Sequence, residues 1–155
     1  MGNGGPLETL STALLERLGA AIRKAGFNHE FEQGEFRLSQ VGYANKSVNM
    51  TIGLISTHGE QLVEFQSLVG ARTSFEYAAL AVYEGNFRCR VVGFSAEEVS
   101  DESGKSFQVV ARGHLYANHF SDQELQAMLK IFLAELDEID DELVMICKGG
   151  VSSDN

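Results

Sequence analysis

The chain has 155 residues, a net charge of −10 and 44% hydrophobic residues, and it contains a single proline. A chain of this length buries enough apolar surface to fold as one domain without disulfides or a structural metal. Its negative charge disfavours DNA and RNA as partners because it repels phosphate groups. The N-terminus lacks the basic and apolar stretches of a signal peptide, and no apolar run approaches the length that crosses a bilayer. We therefore expect a cytoplasmic protein that binds neither nucleic acid nor membrane.

The first half of the chain is predicted to form one helix followed by three strands. Residues 7–25 carry leucine or isoleucine at every fourth position, and Gly26 follows as a natural helix terminator. A polar break of hairpin length, Thr57–Glu60, divides the region beyond it. Apolar and polar residues alternate in the three predicted strands, which are 35–41, 47–54 and 62–69.

The second predicted helix carries an unusual amount of apolar surface. It is predicted to begin at a capping box formed by Thr73 and Glu76 and to end near Gly85 and Asn86. Packing into its own core and contact with a second copy are both open for its large apolar residues. The residues that we assign to a homodimer interface are Phe75, Tyr77, Leu80 and Tyr83.

A hairpin is predicted after this helix, with strands at 87–94 and 106–116 joined through an acidic loop from Glu97 to Lys105. Alternation within these strands places four basic residues on the face opposite the helices: Arg88, Arg90, Arg112 and His114. This face is either an ordinary solvated surface or a docking surface for an acidic partner, including the acidic helix of a second copy. These four residues are the candidate partner-binding site.

The last helix begins at a capping box formed by Ser121 and Glu124 and continues as a long apolar stripe to Leu143. Its acids are predicted to form a solvated polar face: Glu135, Asp137, Glu138, Asp140, Asp141 and Glu142. The elements together predict an α+β domain over residues 7–147, with αβββαββα order and a five-stranded, mainly antiparallel sheet. Residues 1–6 and 148–155 are expected to be flexible tails.

No motif in the chain carries a recognisable chemistry. Cys89 and Cys147 are far apart and have no neighbouring histidine, so we read them as reduced thiols without a catalytic role. Glycine-rich phosphate loops and a serine nucleophile elbow are missing, and the histidines do not have zinc-site spacing: His29, His58, His114 and His119. We expect no enzymatic activity, no cofactor and no metal. An enzyme whose catalytic residues are scattered along the chain is the remaining alternative.

The order of elements, the helix-to-strand step around Tyr83 to Phe87 and the last helix carry a resemblance to a known family. Residues 121–137 read Ser-Asp-Gln-Glu-Leu-x-x-Met-Leu-x-x-Phe-Leu-x-x-Leu-Asp. With this pattern the chain resembles, over residues 7–146, the bacterial YbjN family, whose domain looks like the type III secretion chaperone fold. The resemblance implies a helix-flanked antiparallel sheet, often dimeric, that acts without known catalysis. YbjN-like domains are described as candidate regulators of sensory transduction, and secretion chaperones hold extended stretches of a client chain.

These observations predict a non-enzymatic protein-binding module. It would act as a chaperone-like protein or a regulatory adaptor that holds segments of a partner protein, and it would form a homodimer. The alternative is a ligand-sensing regulatory domain that binds a small apolar molecule between the sheet and the helices. A pocket in that position would favour the alternative.

Overall fold

The computed structural model describes residues 6–43 and 46–149, with side chains described for residues 12–38 and 49–149. Its helices are α1 (Pro6–Lys24), α2 (Phe75–Arg88) and α3 (Asp122–Gly149). Its strands are β1 (Glu30–Glu32), β2 (Glu35–Tyr43), β3 (Lys46–Thr57), β4 (Glu60–Thr73), β5 (Gly93–Asp101) and β6 (Gly104–Tyr116). The α+β class and the three helices are confirmed.

The sheet contains six strands in the order β1-β2-β3-β4-β6-β5, and all neighbours are antiparallel. The prediction of five strands is therefore wrong. The unpredicted strand is β1, whose three residues include one apolar side chain, Phe31, and so are too few to show an alternating pattern. Gln33 and Gly34 have φ angles of 55° and 81°, the signature of a two-residue hairpin turn that returns the chain into β2.

All three helices pack on the same face of the sheet. The cross-strand register aligns Phe36, Ile52, Phe65 and Gly113 in one row, so their side chains share a face. A Cβ on Gly113 would lie 3.1 Å from the Phe132 ring of α3, and Gly19 of α1 lies against the Phe36 ring. Phe94, which pairs with Ala111 on the same face, contacts Gly85 of α2. The other face of the sheet carries no helix among the described residues.

The core fills the space between this face and the helices. The predicted inward residues of β4 and β6 are confirmed, because Val63, Phe65, Val109 and Ala111 are fully buried. The predicted apolar stripe of α3 is confirmed as well: Leu125, Leu129, Phe132, Leu133, Leu136, Ile139 and Leu143 are all buried.

The boundary between α2 and β5 differs from the prediction. α2 runs to Arg88 and β5 begins only at Gly93, so the predicted strand over 87–94 is wrong. The predicted acidic loop is wrong too, since most of the segment from Glu97 to Lys105 lies in β5 and β6.

Contact with β5 explains why α2 continues through two residues that usually end helices. A Cβ on Gly85 would lie 2.5 Å from Cδ2 of Phe94, so glycine is required for the helix to approach the strand. The Asn86 side chain accepts a hydrogen bond from the Phe94 N–H at 2.7 Å and donates one to the Phe94 carbonyl at 3.0 Å. These contacts outweigh the low helix propensity of both residues.

One predicted helix cap is confirmed and one is displaced by a residue. Ser121 Oγ accepts the Glu124 N–H at 3.1 Å, as predicted for the start of α3. At α2 the cap is Ser74, whose hydroxyl accepts from the Tyr77 N–H at 3.5 Å. Thr73 instead ends β4, with its hydroxyl buried and without a hydrogen-bond partner among the described residues.

The helices at both ends reach slightly beyond the predicted domain limits. α1 begins at Pro6, and α3 continues to Gly149. Cys147, which we predicted to lie near a fraying end, is fully buried with its Sγ close to Gly70 of β4. Residues 1–5 and 150–155, the remainder of the two predicted tails, lie outside the described residues.

Candidate functional site

α2 exposes its large apolar side chains and buries small ones. Its buried residues are Ala78, Ala81 and Gly85. On the opposite side, Phe75, Tyr83 and Phe87 are 62%, 64% and 76% exposed. We call the exposed apolar residues of this helix the outer face of α2: Phe75, Tyr77, Leu80, Tyr83 and Phe87. The four predicted dimer residues all lie on it, and their contact with a second copy stays a prediction.

Phe87 is the residue of this face that the sequence analysis missed. It follows Tyr83 by one helical turn, and the two rings stack with centroids 6.1 Å apart. Tyr83 and Phe87 are four residues apart in the sequence, as residues on one helix face are. The sequence analysis assigned Phe87 to a strand over 87–94 and therefore left it out of this face. Tyr77 is the least exposed residue of this face, at 39%, because its ring lies against Gly149 at the end of α3.

Two shallow depressions flank the outer face of α2. One lies between α2 and β5 and is lined by Val82, Phe87 and Ala96. The other lies between α2 and α3, where Leu80 and the exposed Met145 meet an acidic rim: Glu84, Asp141 and Glu142. Stacked rings beside concave apolar surface are features of protein contact sites.

The four basic residues predicted to share a hairpin face do not lie together. Arg88 ends α2 and forms an ion pair with Glu142 of α3, while Arg90 lies in the connection to β5. Arg112 and His114 do lie on the helix-free face of the sheet, as predicted. The prediction that the four residues share one face of a hairpin is therefore wrong, because α2 extends to Arg88. A partner-binding role for them stays a prediction.

Arg112 and His114 belong to a polar cluster in which acids balance the positive charge. Glu64 Oε2 lies 2.9 Å from His114 Nε2 and 3.6 Å from Arg112 Nε. Arg112 also pairs with Glu97 and donates to Ser95 Oγ at 2.7 Å. Since two carboxylates face one guanidinium and one imidazole, the cluster does not present a net positive surface.

Glu135 has a structural role that the sequence analysis missed. Its carboxylate accepts the backbone N–H groups of Arg90, Val91 and Val92 at 2.8, 2.9 and 2.9 Å, so it ties α3 to the α2–β5 connection. Burial by itself would raise the pKa of Glu135, but the three N–H donors stabilise the carboxylate and the net effect lowers that pKa. The prediction that this residue belongs to a solvated acidic face is wrong.

Cys89 lies beside Glu135, half buried at the end of α2 rather than on a strand. Burial, together with the nearby Glu135 charge, raises the pKa of the Cys89 thiol to about 11. Burial also raises the pKa of the Cys147 thiol. Because the thiolate is the nucleophilic form, neither position is activated for covalent chemistry.

A cleft of about 610 Å³ separates β3 from β4 above α3. We call it the β3–β4 cleft. The two strands pair from Thr57 and Glu60 to Thr51 and Gln66, and the described register ends there. The floor is formed by buried or half-buried side chains: Leu38, Met50, Val69, Leu136 and Val144. The sequence analysis named no residues for this cleft, although its alternative function requires a pocket between the sheet and the helices.

The described part of the chain holds neither a metal-binding cluster nor a membrane-spanning helix. Among its residues, no group of three or more His, Cys, Asp or Glu side chains is placed to hold a metal ion. No described helix combines the length and the apolar character required to cross a membrane.

Comparison with known proteins finds similarity in structure but not in sequence. No protein-family model matches the chain, and no curated protein matches it significantly. Among solved structures, it is similar to YbjN from E. coli, described as a candidate transcription regulator, with a TM-score of 0.60 and 12% sequence identity. The similarity covers 84% of this chain and 89% of that one. The resemblance read from the sequence is thus supported at the level of the fold, which is shared with YbjN.

Proposed function

We propose that the chain is a non-enzymatic protein-binding module, a regulatory or chaperone-like adaptor, and that the outer face of α2 is its principal contact surface. The observation that carries the proposal is the exposure of Phe75, Tyr83 and Phe87 on a helix that buries only small residues. Large contiguous apolar patches on a folded domain mark sites that another molecule covers. The YbjN-like fold agrees with a regulatory or binding role, although a fold alone does not assign one.

The three aromatic rings can form the centre of a contact between two copies. At 150–250 Å² for each aromatic side chain, the three rings expose on the order of 400 Å². Two copies that cover this area on each other bury roughly 800 Å² in total, so the surface that flanks these rings must supply the rest of the roughly 1,200–2,000 Å² that a stable interface buries. We therefore propose a homodimer in which the outer faces of α2 meet across a two-fold axis.

The test is the molar mass of the full chain in solution, measured by light scattering after size exclusion. We expect a dimer for the wild type and a monomer for the Tyr83→Glu, Phe87→Glu double variant, because the two carboxylates would be buried without partners. Tyr116→Glu is the matched control: Tyr116 is equally exposed but lies at the end of β6, away from α2, and should leave the dimer intact.

If the wild type is a monomer, we propose that a different protein, rather than a second copy, covers the outer face of α2. Affinity capture from the native lysate, quantified by mass spectrometry, then compares the wild type with the same variants. A partner that is lost with the double variant and kept with Tyr116→Glu supports the proposal. A monomeric wild type whose captured proteins do not change with the double variant contradicts it.

The β3–β4 cleft supports a second candidate function, a ligand-sensing domain. Its volume of about 610 Å³ lies within the usual range for small-molecule sites. Leu136 and Val144 give its floor apolar character, and it lies between the sheet and a helix, as a sensory pocket would. Mass spectrometry of small molecules released from the purified, denatured protein tests this candidate. A stoichiometric apolar compound would support it, and its absence would favour the protein-binding module.

A further inference from the structure

We infer that the outer edge of β5 holds an extended segment of a partner protein, which adds to the sheet as a further strand beside α2. This inference deepens the protein-binding function proposed above and rests on it, because it states how a partner is held next to the outer face of α2. The sheet ends at β5 on this side, since β5 pairs with β6 alone among the described strands.

The backbone of β5 leaves hydrogen-bonding groups unpaired along this edge. Phe94 exchanges two hydrogen bonds with the Asn86 side chain, so its N–H and C=O groups point away from β6. The register with β6 has no shift over the length of β5, and successive residues of an antiparallel strand point these groups to alternate edges. The backbone groups of three further residues therefore point outward: Ala96, Glu98 and Ser100. No described residue bonds to them.

The Asn86 side chain shows what this edge binds. Its amide resembles a peptide group, and it makes the two bonds to Phe94 that a neighbouring strand would make. An added strand can continue this pairing from Ala96 onward, and each outward residue can exchange two bonds with it. Addition of a strand to an available backbone edge is a recurring mode of peptide recognition.

The depression between α2 and β5 lies beside this edge and can accept a side chain of the added strand. Ala96 lines it together with Val82 and Phe87 of α2. Ala96 also pairs with Val109, whose side chain faces the helices, so a residue opposite Ala96 points to the same side. An apolar side chain there covers the ring of Phe87, which is 76% exposed.

Glu98 defines the charge of the added segment. It is the next outward residue after Ala96, and its side chain lies on the same side of the sheet. Its Oε1 lies 3.3 Å from Lys105 Nζ, but both side chains are exposed, and a carboxylate can accept from a second cation. In an antiparallel strand, the residue opposite Glu98 comes two positions before the residue opposite Ala96. The expected pattern is therefore Lys or Arg, any residue, and then an apolar residue.

A second copy of the chain fits this edge poorly. Antiparallel pairing of β5 with its copy over the three outward residues centres on Glu98 and places Glu98 opposite itself. Like charges at directly opposed positions destabilise a pair of strands. Charged side chains protect the edge strands of many proteins from self-association in this way. The edge therefore favours a strand of opposite charge from a different protein.

The experiment is selection from a phage-displayed library of random linear peptides against the full-length chain. We expect enriched peptides with Lys or Arg two positions before an apolar residue. Glu98→Pro removes the outward N–H without loss of a bond to β6, and it should weaken these peptides roughly tenfold or more. Glu98→Gln is the matched control, because it keeps the N–H and the side-chain length and loses only the charge. It should bind within about fivefold of the wild type.

Amide hydrogen exchange of the wild type, resolved by residue, is a second readout that does not depend on the folding of Glu98→Pro. In the free chain, the Glu98 amide should exchange at least about tenfold faster than those of Glu97 and Val99, which point toward β6. A bound peptide should slow it by at least about tenfold. The inference is overturned if no peptide is enriched, if the Glu98 amide is already protected in the free chain, or if a bound peptide leaves it unprotected.

The variants also separate this inference from the proposed function. If the peptides are lost on the Tyr83→Glu, Phe87→Glu variant while Glu98→Pro binds them normally, recognition lies on α2 alone. That result overturns the inference and leaves the proposed function standing. If Glu98→Pro converts a dimeric wild type into a monomer in light scattering, the edge belongs to a second copy, and the inference is again overturned. Weaker peptide binding by Glu98→Pro with an unchanged molar mass supports it.

Discussion

Replacing Glu135 should reveal how strongly a single carboxylate fixes the α2–β5 connection. Glu135→Ala removes the acceptor for three backbone N–H groups. The N–H groups of the exposed Arg90 and Val91 can turn to water, whereas that of the buried Val92 cannot. An unsatisfied buried donor costs about 1–3 kcal/mol, and the lost charge-assisted bonds add to this, so we expect a loss of about 2–4 kcal/mol in the free energy of unfolding. Glu138→Ala, an exposed acid on the same helix, should change it by less than about 0.5 kcal/mol.

The pH dependence of this loss tests its electrostatic origin. The pKa of Glu135 is lower in the folded protein than in the unfolded chain, so its stabilisation is complete above the ordinary glutamate pKa and disappears as the pH falls through the folded value. Urea unfolding of the wild type and Glu135→Ala should therefore give a constant difference from pH 8 to about pH 5 and a shrinking one below about pH 4.5. A difference below about 0.5 kcal/mol at pH 7, or one that is constant down to pH 3, would refute the reasoning.

Other substitutions test the core, the helix–sheet contact and the thiols. Phe132→Ala should cost about 3–5 kcal/mol in urea unfolding, whereas its exposed neighbour Ile131→Ala should cost less than about 1 kcal/mol; similar losses would mean that the orientation of α3 is wrong. Gly85→Ala should destabilise by about 1–3 kcal/mol because the new methyl group meets the ring of a β5 phenylalanine, although alanine is the better helix former by about 1 kcal/mol; a gain in stability would contradict that contact. In a Cys147→Ala background, Cys89 should react with Ellman's reagent at pH 7.5 roughly a hundredfold more slowly than a thiol of ordinary pKa, since its pKa is about 11; labelling as fast as that of a free thiol would contradict its burial.

The sequence predicts those helices and strands whose buried residues recur at a regular spacing along the chain. Val63 and Phe65 of β4 and the stripe of α3 alternate with polar residues at the period of a strand or a helix, and the structure buries them accordingly. The Ser121 cap is also local, because the hydroxyl and the N–H that it accepts are three residues apart. Such features depend on near neighbours and leave a pattern in the sequence.

Features that depend on distant contacts were not predictable in this way. α2 passes through Gly85 because of Phe94, a contact that the helix pattern does not show, and this shift removed Arg88 from the predicted strand face. Glu135 looks like any other surface acid in the sequence, since its three partners belong to another segment. The β3–β4 cleft lies between two register shifts, one in the β2–β3 pairing and one in the β4–β6 pairing, and neither shift is marked by a proline.

The strand order also has a consequence for how the chain reaches this structure. The strands form two groups: β1 to β4 are neighbours in both sequence and sheet, and β5 and β6 form a hairpin. Within each group, neighbouring strands can pair through short turns. β4 and β6 join the two groups across α2, where paired residues such as Glu64 and His114 are 50 positions apart. Closing so long a loop is entropically slow compared with forming a hairpin. We therefore expect β4–β6 pairing to set the refolding rate, and substitutions such as Phe65→Leu in this seam to slow refolding more than equally destabilising ones in β1 or β2.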